Sequence, residues 1–198
     1  MFVAGDAIDV LDYSEEDAAG MPDSHFWTDP ARMLDVVDAV EPVLADVDGI
    51  DQDSLAPTVR AYRAQLQALD AEMSEAFASL PVAHRALVTN HHVFGYLADR
   101  FDFDVVGTVI PGGTTLAAPS ASDLADLVDA IEETGVRAIF AESSSPDRLV
   151  QALASEANVQ VEVIELFTES LTGPDEAAPD YLTMMRVNTE RITTGLTP

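Results

Sequence analysis

Between Leu55 and Leu80, apolar side chains return at steps of three and four: Leu55, Val59, Tyr62, Leu66, Leu69, Met73, Phe77 and Leu80. That spacing draws one stripe along an α-helix and predicts a helix over 54–80. At about 1.5 Å per residue it would span roughly 40 Å, enough to cross a domain or to join two lobes as a stiff spine. A projecting coiled-coil arm is the alternative. Downstream of residue 85 the pattern changes to short apolar runs alternating with amphipathic stretches. Strands are predicted at Ala86–Thr89, Val105–Ile110, Ala138–Ala141 and Val159–Phe167. Helices are predicted at Phe94–Phe101, Ser122–Thr134 with Ser122 as cap, Asp147–Glu156 and Asp180–Gly195. Alternation of this kind builds a parallel sheet with helices on both faces, and such sheets place ligands beyond the carboxyl ends of their strands.

Upstream, residues 1–24 are rich in Gly, Asp and Ser and offer one short strand near Ile8–Leu11. Asp29 is suited to cap a helix and Pro30 to open it, so a helix is expected from there to about Asp46. Pro42 lies inside that stretch and is expected to kink or split it. The chain shows no internal repeat and no low-complexity linker.

Hydrophobic residues make up 47% of the 198, enough for a real core. Charge changes the picture more. Nine basic residues, all arginine, face 36 acidic ones, for a net charge of −27. Such a surface repels nucleic acid and anionic membranes, so neither is expected as a partner. Its self-repulsion is relieved by concentrated salt, and the acidity reads as adaptation to high salt. The absence of cysteine excludes disulfides, thiolate metal sites and cysteine nucleophiles. No run of 18 apolar residues offers a membrane span. The first ten residues, Met1 to Val10, lack the basic and apolar regions of a signal peptide, which taken literally predicts a cytoplasmic chain.

Four polar residues stand out on this scheme. His91 follows the first strand of the alternating region, Glu142 the third and Glu169 the fourth, all on one edge of the expected sheet. His25 sits in the loop before the helix that opens at Pro30. Two imidazoles and a carboxylate suit a borderline divalent cation such as Zn²⁺ or Mn²⁺. An isolated histidine is more often an ordinary polar residue; the shared edge is what groups these. An open set of two histidines and a glutamate also describes catalytic zinc, with Glu142 cast as general base. There is, however, no His-Glu-x-x-His helix, no Gly-x-Ser-x-Gly elbow and no phosphate loop, and Gly112-Gly113 reads as plain loop.

Six segments in order resemble the zinc and manganese receptors of ABC importers, the TroA/ZnuA-like group. They are Asp23–Pro30 (DSHFWTDP), Thr89–Tyr96 (TNHHVFGY), Ala118–Leu124 (APSASDL), Phe140–Glu142 (FAE), Phe167–Leu171 (FTESL) and Tyr181–Asn188 (YLTMMRVN). The resemblance implies two α/β lobes with parallel sheets joined by a long rigid helix, the N-terminal lobe being incomplete here. The parts would be a partial N-terminal lobe at 1–53, the linking helix at 54–80 and the C-terminal lobe at 81–198. It implies no enzyme but a substrate-binding protein that takes Zn²⁺ or Mn²⁺ as its transported ligand between the lobes. It would hand the ion to a membrane permease, acting as a monomer at the cell surface.

By the same resemblance His25, His91 and Glu169 are metal ligands, Glu169 standing where the family has aspartate. Glu142 supports a ligand from behind or is structural, direct coordination being the alternative. His84 and His92 are expected at the surface. The sequence departs from the family pattern in three respects: Ser24 replaces a proline, the histidine-rich loop is missing, and a first histidine in an N-terminal half-lobe has no counterpart. Together with the missing signal and lipid-anchor cysteine, this suggests a truncated product or a misplaced start, a three-ligand site and weak metal binding. A degenerate receptor fragment acting as an interaction module is the competing reading.

Overall fold

A computed structural model describes residues 1–13, 20–110, 120–143, 148–156 and 161–197. The apolar stripe forms helix α2, Gln52–Ala78, after helix α1, Pro30–Ala45. The carboxylate of Asp51 caps α2 by accepting the Asp53 N–H at 3.1 Å. Leu66, Leu69, Met73 and Phe77 of the stripe are fully buried, each stabilising the fold by about 1.5–3 kcal/mol. The stripe serves two cores. Val59 and Leu66 pack with Val37, Met33 and Leu34 of α1, whereas Leu69, Met73, Phe77 and Leu80 join Leu87, Leu97, Phe101 and Phe140 of the sheet region. The helix is continuous and packed along its length, so it is not a free coiled-coil arm. Arginines ride on its flanks: Arg63 meets Asp38 at 2.6 Å, Arg100 meets Asp70 at 2.8 Å and Arg186 meets Glu72 at 2.7 Å.

Helix α1 opens as expected, with the Asp29 carboxylate accepting the Ala31 N–H at 2.8 Å and Pro30 in the first turn. Pro42 does not split it: the helix runs on to Ala45. The missing bond falls in the last turn, where the packed face against α2 outweighs one lost N–H. The strand expected near Ile8–Leu11 does not form. Ala4–Ala7 is a short 3₁₀ turn, and the chain closes instead through an isolated antiparallel bridge between Asp12 and Pro22. A strand needs a neighbour to bond with, and here the Leu11 N–H goes to the Tyr96 hydroxyl.

The alternating region builds strands β1 (Ala86–Thr89), β2 (Asp104–Thr108), β3 (Ala138–Glu142) and β4 (Glu162–Leu166). They are all parallel, in the order β2-β1-β3-β4. The intervening helices are α3 (Gly95–Phe101), α4 (Ala121–Thr134), α5 (Arg148–Glu156) and, last, α6 (Tyr181–Leu196). Every residue of β3 is buried, and its side chains alternate. Ala138 and Phe140 face the core shared with α2, α3 and α6, while Ile139 and Ala141 face Leu127, Ile131, Val150 and Leu153 of α4 and α5. Helix α6 approaches closely because residue 195 is glycine: a Cβ there would lie 3.2 Å from that of Ala138 and 2.3 Å from Cδ1 of Ile164. Ser122 lies inside the first turn of α4 rather than capping it, since that helix begins at Ala121 and the Leu124 N–H bonds to the Ser120 carbonyl. Gly112-Gly113, and Ala118 and Pro119 of one family-like segment, lie outside the described residues.

Strand order reverses between β1 and β3, where chains leaving adjacent carboxyl ends diverge. That is the position at which open α/β sheets leave a crevice for ligands.

Candidate metal centre

Four short segments converge on this crevice. His91 leaves β1, Glu142 ends β3, Glu169 follows β4, and His25 arrives from the turn before α1. One ligating atom from each of His25, His91 and Glu169 lies within 4.8 Å of the others. Glu169 Oε1 is 3.6 Å from His25 Nε2 and 3.4 Å from His91 Nε2, and the two imidazole rings stand edge to face at 5.6 Å. Both histidines are buried and Glu169 is partly exposed. Both ring nitrogens of His91 are enclosed without a hydrogen bond. A buried polar group left so is costly, by about 1–3 kcal/mol, unless something else satisfies it.

Each imidazole has a carboxylate behind it. Asp23 Oδ1 accepts the His25 backbone N–H at 2.9 Å and lies 2.7 Å from its Nδ1. A carboxylate there accepts a hydrogen bond from Nδ1–H, which fixes the tautomer and leaves the Nε2 lone pair directed at Glu169 and His91. Glu142 Oε2 lies 3.7 Å from Nδ1 of His91, on the side of the ring away from Glu169. Glu142 is therefore outside the three-donor group and behind a histidine. Burial pushes the His91 pKa below its ordinary 6.5, outweighing Glu142 and Glu169, which raise it. The ring is thus neutral at neutral pH, the form that binds a metal.

The loop carrying His25 is held from α3. Tyr96 donates its hydroxyl to the Asp23 carbonyl at 3.0 Å. Residue 95 is glycine where a Cβ would stand 2.8 Å from Asp23 Oδ2, so no larger residue leaves that carboxylate in place. The loop carrying Glu169 is held from α6: Asn188 accepts the Phe167 N–H at 2.9 Å and donates to the Phe167 carbonyl at 2.6 Å. Trp27 donates its indole N–H to the Thr168 carbonyl at 2.9 Å.

Two expectations are corrected. His92 is not at the surface: it is buried, its ring 5.2 Å from that of Tyr13, because residues near the N-terminus cover the loop after β1. His84 is half-buried at the opposite edge of the sheet, its Nδ1 enclosed. Neither belongs to the three-donor group. Sequence reasoning also missed Asp23, Gly95 and Asn188. The signal for Asp23 was its place two residues before His25, where a short carboxylate folds back onto the following backbone N–H. Asn188 left no signal beyond its place in the family-like segment Tyr181–Asn188, since its partner lies in another element.

Residues 2–195 match a protein family described as "ZnuA: Zinc-uptake complex component A periplasmic". Among curated relatives, the zinc-binding protein TroA of Treponema pallidum (strain Nichols) is 31% identical over 178 residues, covering 88% of this chain and 57% of the relative. The manganese ABC transporter substrate-binding lipoprotein PsaA of Streptococcus pneumoniae is 25% identical over 195 residues, covering 98% of this chain and 62% of the relative. The chain thus spans less than two thirds of the length of these relatives. The solved periplasmic zinc binding protein TroA from Treponema pallidum superposes with a TM-score of 0.89 at 29% identity, over 100% of this chain and 72% of that one. A Mn-bound periplasmic metal binding protein from candidatus liberibacter asiaticus shares the fold at 22% identity and a TM-score of 0.82, over 99% and 71% of the two chains. Matched by the family from residue 2 to residue 195, the chain belongs to the ZnuA family of periplasmic zinc-uptake components.

Proposed function

We propose that this chain is the substrate-binding component of a metal ABC importer, that it binds Zn²⁺ or Mn²⁺ through His25, His91 and Glu169, and that it delivers the ion to a membrane permease. The observation that carries this reading is the convergence of three donors within 4.8 Å, with both ring nitrogens of His91 enclosed and without a hydrogen bond. Donors bonded at about 2.0–2.2 Å to one tetrahedral ion stand roughly 3–4 Å apart, so small side-chain movements would close this set on a cation. Three donors leave a fourth position to water or to another ligand. The names of the relatives support both the ion and the importer, and describe such proteins as periplasmic or as lipoproteins. We accordingly assign this chain outside the cytoplasm, and further propose that it acts as a monomer. Among the described residues no helix is long and apolar enough to cross a membrane.

We further divide the chain into part of an N-terminal lobe at 1–53, a linking helix at 54–80 and a C-terminal lobe at 81–198. The metallohydrolase alternative is disfavoured by Glu142, the residue cast as base, which faces Nδ1 of His91 rather than the nitrogen turned toward Glu169. Calorimetric titration of Zn²⁺ and Mn²⁺ into the wild-type chain and into His25→Ala, His91→Ala and Glu169→Ala tests the assignment. Saturable binding at one ion per chain, weakened by each substitution, is expected. Binding that survives all three, or that never appears, refutes it.

A further inference from the structure

Glu169 is 40% exposed at its side chain, so packing does not fix where its carboxylate sits. Its reach is set by where the backbone before it is anchored. Two grips act there. Asn188 of α6 holds Phe167 through both backbone groups. One peptide further on, the Thr168 carbonyl accepts the indole N–H of Trp27 at 2.9 Å. Trp27 belongs to the other loop of the site, two residues after His25, and its ring stands edge-on to the His25 imidazole at 5.2 Å. Its own carbonyl accepts the Tyr181 hydroxyl at 2.8 Å, tying that loop to the start of α6. Trp27, the single tryptophan of the chain, therefore contacts the imidazole of one donor, the peptide that precedes another, and the helix behind both.

We propose that Trp27 is a positioning residue that sets the gap between His25 and Glu169 by pinning the peptide before Glu169, and that metal affinity depends on its indole N–H. The proposal rests on the metal-centre reading given above. A Trp27 that only filled space against the core would serve equally well without its N–H. A strut would not, because a glutamate on a loosened loop spreads its carboxylate over positions that miss the ion.

Trp27→Phe separates the two, since it keeps an aromatic ring and removes the donor. In the metal-free chain, amide hydrogen exchange over 166–170 should quicken by about tenfold while β1 and β3 keep their protection. Zn²⁺ titrated into the variant should bind about tenfold more weakly, the usual cost of losing a group that supports a ligand. In a Glu169→Gln background the same change should cost less than about twofold, because coupled residues are not additive. Unchanged exchange overturns the proposal, and so does an equal loss of affinity in both backgrounds. If Trp27→Phe does not fold, Tyr181→Phe decides by the same two readings: it loosens the strut from behind, and an unaltered loop and affinity overturn the proposal. A wild-type chain that takes up no zinc refutes the metal reading, and the exchange result then still decides whether Trp27 holds the loop.

Discussion

Replacing Asp23 by alanine removes the group that orients His25 without touching any of the three donors. Asp23 Oδ1 takes the backbone N–H of residue 25 at 2.9 Å and lies 2.7 Å from Nδ1 of its ring. Both bonds lie in the interior, the Asp23 side chain being 1% exposed. Orphaning a buried donor costs about 1–3 kcal/mol, and two are orphaned here. The Tyr13 hydroxyl, 3.3 Å from the same nitrogen, can recover part of that. A net loss of about 2–3 kcal/mol follows, which for a chain of this size lowers Tm by roughly 5–10 °C. The effect on metal is separate. Without the carboxylate the ring rotates and exchanges its tautomer, so Nε2 carries its lone pair only part of the time. Losing such a partner weakens metal binding by about 10- to 100-fold, or 1.4–2.7 kcal/mol. Competition against a chromophoric chelator measures the affinity, and thermal melts with and without Zn²⁺ measure the stability. A Tm that falls while the zinc affinity stays within about twofold of wild type would mean that Asp23 builds the loop but does not orient the ligand, contrary to the support expected of such groups.

Other consequences follow from the same geometry. Asn188→Ala should cost about 2–4 kcal/mol, because the Phe167 N–H and C=O both lose their buried partner, and the midpoint of urea unfolding should drop; an unmoved midpoint contradicts that grip. His91 has a folded-state pKa below its unfolded value, so the unfolded chain binds more protons and this residue makes metal-free stability fall as pH drops through the ordinary histidine range around 6.5. His91→Gln should flatten that loss between about pH 7 and 5, and parallel pH profiles of the two proteins would exclude it. With a net charge of −27 and no lysine, Tm should rise steeply from low to molar salt. A flat or falling Tm would remove the high-salt reading.

The fold was legible where a repeating pattern had only one way to be buried. Leu66, Leu69, Met73 and Phe77 recur as one stripe, and they form the buried face of α2. The apolar runs at Ala86–Thr89 and Ala138–Ala141 lie side by side in parallel strands β1 and β3. What failed were readings in which a local rule met a tertiary contact. Pro42 should disturb a helix, yet the face packed on α2 carries α1 past it. Residues 8–11 had strand-like character, yet the pairing there is confined to the isolated Asp12–Pro22 bridge and the Leu11 carbonyl beside it. The grouping of His25, His91 and Glu169 was visible because three of the four segments end on one sheet edge, and the fourth came from the family-like segment around His25. Their supports were not visible. Asp23 bonds to His25 two residues on in the same loop, whereas Trp27 and Asn188 act on a backbone more than twenty residues away, distances along the chain that no local pattern encodes.

In the proposed site one ion is held jointly by the loop before α1 and the carboxyl edge of the sheet. Anomalous diffraction at the zinc edge from crystals of the zinc-loaded chain tests it directly. A single strong peak is expected at about 2.0–2.2 Å from His25 Nε2, His91 Nε2 and a Glu169 carboxylate oxygen. A peak elsewhere, or one touching His25 or His91 but not both, would contradict it.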